Sequence, residues 1–275
     1  MNRSNLKQIL KNRLTEKELN LLPKSFDIIG DIIIFSEFPK ELTKKEKLIA
    51  NALLKLNKNI KVITKKTKQH YGKYRLKKVK IIAGEKRKTT LHKENNVKLK
   101  LNIETCYFSP RLSNERLRIA KSIKKNEKVL VMFSGIAVYP LVISKNSDAK
   151  EIYAIEINPN AHKYAVENII LNKINNIKLF KGDVKKIIPN LNKKFDRIIM
   201  PLPKSAYKYL DLIKFVAKNN TVIHFYDFLN EKDIPDKTID KIKKRIKKFK
   251  VLNCVRCGEY SPKVYRICLD FIFKN

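Results

Sequence analysis

Three short apolar runs between Val129 and Asp183 constrain this chain more than any other feature. Val129-Leu130-Val131-Met132-Phe133 leads into Ser134-Gly135-Ile136-Ala137, Ile152-Tyr153-Ala154-Ile155 ends on Glu156, and the run closing at Lys181-Gly182 is followed by Asp183. Each stops at a small or acidic residue where a helix can begin. Buried parallel strands with a ligand across their carboxyl ends have this pattern.

Gly135 lets the backbone after the first strand approach a ligand without a Cβ in the way, and the next helix presents unpaired N–H groups there. Glu156 is placed to accept hydrogen bonds from two ribose hydroxyls, and Asp183 to meet an exocyclic amine. The spacing alone leaves S-adenosyl-methionine and other nucleotides both open. Neither Gly-x-Gly-x-x-Gly nor Gly-x-x-x-x-Gly-Lys-Ser/Thr occurs, which argues against a dinucleotide or a triphosphate.

The rest of the chain extends this pattern. Strands are expected near 128–134, 151–157, 177–180, 196–200 and 220–226. Helices fall near 139–145, from Pro159 to Asn172 and from Tyr207 to Lys218, so the sheet is parallel. Val251 to Cys254 and Tyr265 to Phe273 can close it as a hairpin, after a basic helix with a stripe of Ile239, Ile242, Ile246 and Phe249. Leu112 to Lys125 reads as a helix whose core face carries Leu117, Ala120 and Ile123, with Arg116 and Arg118 off it. The part before Cys106 differs in style. A helix covers residues 1 to about 22, and Phe26 to Phe35 forms a strand pair or a strand bent at Gly30. A helix runs from Thr43 to Leu56, Val62-Ile63 is a short strand, and alternating strands fill 70–104. Two domains follow: an α+β domain over 1–105 and a doubly wound α/β domain over 106–275.

Charge narrows the partners. Lys and Arg total 62 against 26 acidic residues, a net +36, an excess that points to a polyanion. No apolar run reaches the roughly 18 residues that span a bilayer, and the start lacks a secretory segment, so a cytoplasmic protein without a membrane partner is expected. Cys254 and Cys257 form a Cys-x-x-Cys pair. Cys106, Cys268 and the histidines 70, 92, 162 and 224 complete no ligand set, so ordinary strand-end cysteines are expected rather than a metal.

Several further segments occur in order: Tyr71-Gly72-Lys73-Tyr74-Arg75, Ile82-Ala83-Gly84-Glu85-Lys86-Arg87, His92-Lys93-Glu94-Asn95, Tyr107-Phe108-Ser109-Pro110-Arg111-Leu112-Ser113-Asn114-Glu115-Arg116, and Met200-Pro201-Leu202-Pro203-Lys204. With them the chain, from about residue 20 to its end, resembles the archaeal and eukaryotic tRNA (guanine-37, N1)-methyltransferases. The resemblance implies a Rossmann-like class I methyltransferase sheet behind a smaller N-terminal α+β domain, S-adenosyl-methionine as cofactor, and tRNA, at position 37 of the anticodon stem-loop, as substrate of a monomer. It makes Glu115 the base at guanine N1, gives Arg75 the charge developing on O6, and sets Tyr107, Pro201 and Pro203 near the reacting groups. Arg111, Phe133, Ser134, Gly135, Ile136, Glu156, Ile157, Asn158, Asp183, Val184 and Pro201 would line the cofactor. On spacing alone, Glu115 reads instead as a helix-surface carboxylate paired with Arg118 or Arg111.

The chain also departs from the family. Val131 stands where an acidic residue is usual, Ala137 replaces the second glycine of the turn, and Val138 a proline. Met200-Pro201-Leu202-Pro203 replaces Asn-Leu-Pro or Asn-Pro-Pro, which removes a side-chain donor and acceptor and is similar to the archaeal branch that also methylates 4-demethylwyosine at carbon 7. The small domain with which many members grip the outer corner of tRNA is expected to be missing or vestigial. Two alternatives remain: an aminocarboxypropyl transferase of the wyosine pathway, and a basic RNA-binding protein or chaperone without catalysis.

Overall fold

In the computed structural model of the 275-residue chain the described residues are 3–23 and 25–274, and the side chains of 3, 4 and 68–71 lie outside the description. His70 and the Tyr71 side chain therefore fall outside it. Contacts divide the chain into two units, 1–93 with 99–110, and 94–98 with 111–275. The division falls at 110/111 rather than at the expected 105/106, and the tip of one hairpin joins the second unit.

The first unit begins with helices α1 (Arg3–Leu10) and α2 (Glu16–Leu21). The single helix expected over 1–22 is broken because Thr15 and Glu18 form a reciprocal capping box, which starts a new helix there. A four-stranded sheet follows in the order β1 (Phe26–Ile29), β2 (Ile32–Phe35), β3 (Val62–Tyr71) and β4 (Leu76–Gly84). Strands β2 and β3 are parallel, joined through helix α3 (Glu46–Leu56). Leu6, Leu10, Ile33, Phe35, Ile49, Leu53, Ile63 and Ile82 form the core, so α1 and α3 share one face of this sheet. Hairpin β5 (Thr89–Glu94) and β6 (Val97–Asn102) stands apart as a second sheet.

The turn at Gly30 ties these pieces together. Asp31 accepts from both arms of the Arg87 guanidinium and, at 2.7 Å, from the Thr90 hydroxyl. The Gly30 N–H donates to His92 Nδ1 at 3.1 Å. The segments around Arg87 and His92 thus clamp a turn.

The second unit carries a seven-stranded sheet. Helix α4 (Ser113–Ser122) precedes β7 (Lys128–Met132), α5 (Val138–Asn146), β8 (Glu151–Glu156), α6 (Pro159–Leu171), β9 (Ile177–Lys181), α7 (Val184–Ile187) and β10 (Phe195–Met200). After α8 (Ile213–Val216) come β11 (Ala217–Asn230), α9 (Asp236–Lys243), β12 (Phe249–Ser261) and β13 (Val264–Phe273). The order is β12-β13-β11-β10-β7-β8-β9, parallel except for β13. Leu130, Met132, Ile155, Ile198, Ile223, Phe225 and Leu269 pack one face.

Three sequence expectations change here. Most of the helix expected over 207–218 is 3-10 turn, Ala206–Leu212, with four α-helical residues after it. Strand β11 runs well past 226 because β13 pairs with it from Val222 to Asn230. Ile242 and Ile246 are buried as the stripe requires, but Phe249 opens a strand, and Cys254 and Cys257 lie inside that strand rather than at its end.

Gly30 holds φ +57°, and a Cβ there would stand 2.1 Å from Thr90 Oγ1 and 2.6 Å from the Leu91 carbonyl oxygen. Gly30→Ala is expected to lower the unfolding free energy by more than ~2 kcal/mol, combining left-handed strain with displacement of β5. Urea denaturation measures it.

Candidate active site

Strand β7 ends in a loop, Phe133 to Ala137, in which Phe133, Gly135 and Ala137 take φ of +60°, +59° and +64°. In this backbone nest the Ser134 N–H donates to the Ile155 carbonyl at 2.9 Å and the Ala137 N–H to the Ser134 carbonyl at 3.0 Å, which leaves the Gly135 N–H for Glu156, at the end of β8. Its Oε2 accepts from the Gly135 N–H at 2.6 Å and its Oε1 from the Asn158 N–H at 2.7 Å. Burial pushes this carboxyl above its ordinary value, opposed by the N–H groups of Asn158, Gly135 and Ile157. A carboxylate has about four acceptor positions, so Glu156 can hold this loop and still accept from a ligand hydroxyl.

The neighbouring strand ends complete the rim. Asn158 caps α6 with its side chain on the Asn160 N–H, and Pro159 occupies the first turn. Asp183 caps α7 through Oδ1 on the Lys185 N–H at 2.9 Å, and Val184 is buried behind it. After β10, Pro201 is half-buried and Pro203 buried, in a turn closed by the Leu202 N–H on the Met200 carbonyl at 2.8 Å. Phe133, Ser134, Gly135, Ile136, Glu156, Ile157, Asn158, Asp183, Val184 and Pro201 therefore all lie at the carboxyl ends of parallel strands. Sequence reasoning missed Tyr209, whose ring meets Phe133 edge to face at 5.0 Å under the Lys185 ammonium. Its 3-10 setting leaves no helical periodicity to reveal it.

Helix α4 buries charge where the sequence suggested an apolar face. Its buried residues are Glu115, Arg116, Ile119 and Ala120, whereas Leu117 is half-buried. Arg116 forks onto Glu94 with two 2.6 Å bonds, both side chains almost fully enclosed. Arg118 pairs with Glu115, as the i,i+3 spacing allows, but Glu115 is only 6% exposed and is no surface carboxylate.

A buried polar chain extends from it. Arg118 reaches Glu115 Oε2 at 2.7 Å and Oε1 at 2.8 Å, and Tyr226 donates to Oε1 at 2.6 Å after accepting from Tyr139 at 3.0 Å. The other side of the Arg118 guanidinium holds Asp270 at 2.6 Å. Asp270 meets His224 Nδ1 at 2.6 Å, and His224 Nε2 meets Arg197 Nη1 at 2.7 Å. Burial keeps the His224 imidazole below its ordinary value despite Asp270, so the neutral ring donates from Nδ1 and accepts at Nε2. Burial works to raise the Asp270 carboxyl, but His224 and Arg118 outweigh it and hold it well below the usual range. His224, Cys268 and Asp270 bring ligand-type atoms within 4.8 Å of one another, yet the two guanidiniums already on this cluster repel a cation. The four cysteines form no disulfide.

In the first unit, Arg75 takes φ +53° in the Gly72–Arg75 turn and lays its guanidinium over the Tyr107 ring at 5.5 Å. Those two predicted residues thus come together. Arg111 lies exposed in the 3-10 turn Pro110–Leu112 at the start of the second unit's long segment.

A sheet of this order, with a backbone nest after its central strand and an acidic residue at the end of the next, defines a class I methyltransferase fold. The chain belongs to the TRM5/TYW2 methyltransferase family: the description of that methyltransferase domain fits residues 90–253 and that of the TYW2 N-terminal domain fits 6–88. It is 39% identical over 254 residues to the tRNA (guanine(37)-N(1))-methyltransferase Trm5b of Pyrococcus abyssi, covering 91% of this chain and 75% of that protein. The tRNA (guanine(37)-N(1))/4-demethylwyosine(37)-methyltransferase Taw22 of Nanoarchaeum equitans is 33% identical, with 90% of this chain and 98% of that protein covered. Among solved structures, Pyrococcus horikoshii TYW2 in complex with MeSAdo superposes with a TM-score of 0.83 at 28% identity, over 100% of both chains.

Because Glu94 anchors the helix that carries Glu115, Glu94→Gln should cost about 3 kcal/mol by neutralising the carboxylate onto which the enclosed Arg116 guanidinium forks. Chemical denaturation measures this loss.

Proposed function

We propose that this protein transfers the methyl group of S-adenosyl-methionine to N1 of guanine 37 in tRNA and, as a second activity, to carbon 7 of 4-demethylwyosine. It acts as a cytoplasmic monomer on the anticodon stem-loop. The observation that carries the reading is the link between two carboxylates of the second unit. Glu156 lies in the nest from which α5 starts, and Tyr139, in the first turn of α5, is joined through Tyr226 to Glu115.

Guanine N1 carries a proton and attacks weakly until it leaves. In the proposed step the N1 electron pair forms the bond to the methyl carbon, the carbon–sulfur bond breaks with its electrons on sulfur, and S-adenosyl-homocysteine departs. The N1 proton passes to Glu115. Arg118 and Tyr226 take three of the roughly four acceptor positions of that carboxylate. An incoming N1–H takes the remaining one. Arg75 is assigned the negative charge on O6, and Asp183 the adenine amine. Glu156 accepts from the ribose hydroxyls, while Arg111, Phe133, Ser134, Ile136, Ile157, Asn158, Val184 and Pro201 line the cofactor. Tyr107, Pro201 and Pro203 border the target base. The net +36 serves phosphate contacts, whose strength falls steeply with salt.

Two predictions follow from these assignments. Glu115→Gln is expected to slow methyl transfer by ~10²–10⁴-fold while S-adenosyl-methionine still binds. The assay incubates guanine-37 tRNA and 4-demethylwyosine tRNA separately and weighs nucleosides and the cofactor product. Formation of 1-methylguanosine with S-adenosyl-homocysteine supports the reading, and methylthioadenosine as the product overturns it.

Because burial lifts the Glu156 carboxyl, cofactor affinity should be full above that raised value and decline as pH falls through it, since the neutral acid offers fewer acceptor positions. Glu156→Gln should bind about tenfold more weakly and lose this pH dependence. Calorimetric titration over a series of falling pH reads both effects.

A further inference from the structure

We infer that Arg118, Asp270 and His224 are positioning residues that set the orientation and proton affinity of Glu115 by dividing one half-buried guanidinium between two carboxylates. The inference rests on Glu115 being the base.

Arg118 is the only side chain in the chain of contacts that touches both anions. Its Nε and Nη2 hold Glu115 as a two-bond fork, its Nη1 donates to Asp270 Oδ2 at 2.6 Å, and Nη2 also reaches Asp270 Oδ1 at 3.4 Å. With no second anion beside it, the full charge of that fork would make Glu115 a reluctant proton acceptor. The second anion draws the cation the other way.

Asp270 can do this because it cannot turn aside. Directly across the β11/β13 ladder, His224 donates to its Oδ1, and the Cys268 thiol donates to the same oxygen at 3.2 Å. Behind His224, Arg197 is fastened to Glu127 at 2.7 and 3.1 Å and to the Ser122 hydroxyl at 3.2 Å. Charge therefore alternates from Glu127 through Arg197, Asp270 and Arg118 to Glu115, with neutral His224 as the spacer. The chain joins the lower end of the sheet to the carboxylate.

The groups around Glu115 come from every element packed on it. Arg116 and Arg118 stand on α4, Tyr139 on α5, Tyr226 and His224 on β11, Cys257 on β12, and Cys268, Asp270 and Arg266 on β13. The tyrosines stay protonated, because burial and nearby anions push both well above ordinary phenols. Burial pushes the thiols up as well. Among the described residues, Asp270 is then the anion besides Glu115 itself that holds Arg118.

A purely structural chain would fasten α4 to the sheet and nothing more. The two roles separate by the sign of a pH shift, read as the acid limb of the single-turnover methyl-transfer rate on guanine-37 tRNA. Asp270→Asn keeps an acceptor for His224 but places an amide toward Arg118, so the whole guanidinium falls on Glu115. The acid limb should move down by about one pH unit, and the plateau rate should drop about tenfold, with cofactor affinity unchanged. Arg118→Gln removes the cation, so the limb should move up by a similar amount.

Opposite shifts in the two variants establish the division of charge. If Asp270→Asn does not fold, the smaller neutral variant Asp270→Ser is read in its place, and the same downward shift is required of it. Slower transfer or lower melting temperature with the limb unmoved in both variants overturns the inference and leaves a structural staple. Near-normal transfer by Glu115→Gln would instead remove the base assignment, a failure visible separately from either outcome.

Discussion

A buried arginine demands a carboxylate, and helix α4 has one that is enclosed, Arg116, and one that is half-buried, Arg118. Arg116 turns to Glu94 at the tip of the β5/β6 hairpin, and Arg118 turns to Glu115 and Asp270. Because these residues lie two apart on one helix, the two ion pairs fix its rotation as well as its position. Glu115 is consequently presented at one place only, held from three sides. Apolar packing of the same helix through Ile119 and Ala120 alone would leave that rotation to shape, which is a weaker constraint.

The nest around Glu156 works on the same economy of charge. Its donors are backbone groups, so no side chain has to be ordered to make it, and it persists whatever occupies the neighbouring space. Three left-handed residues in five are needed to build it, and only one is glycine. Phe133 and Ala137 each bear a cost of about 1–2 kcal/mol in that conformation. The edge-to-face contact of Phe133 with Tyr209 and the complete burial of Ala137 help to offset it. Glycine thus explains less of this loop than its sequence suggests.

The sheet was legible because its parallel strands are apolar on both faces. Runs such as Val129 to Met132 have few other uses, and the residue that ends each run marks the ligand edge. The first unit was legible in style, through alternation at Val97-Lys98-Leu99-Lys100-Leu101, but not in topology, since nothing in Val62-Ile63 announces a ten-residue strand parallel to β2. Spacing showed that Glu115 could reach Arg118. It could not show that both are drawn inward, because Asp270 lies 152 residues away and meets Arg118 only through the β11/β13 register. One signal was present: His224 and Tyr226 alternate with Ile223 and Phe225 in a stretch, 223–227, that is buried throughout. Polar residues at such positions must have partners.

The departures from the family pattern now acquire physical meaning. Val131 is fully buried at the centre of the sheet, where a carboxylate would need donors that the apolar side chains around it do not supply. Ala137 keeps the left-handed geometry of the glycine it replaces, so the nest survives the exchange. At Pro201 the change is chemical: the ring has no N–H, its side chain offers no acceptor, and the turn closes through Leu202 instead. A pocket that reads its base with fewer directional bonds discriminates less against a larger purine, because no polar group is stranded when the substrate changes. On the proposed function, tolerance of two purines at position 37 needs no added residue, only one amide side chain fewer on the rim.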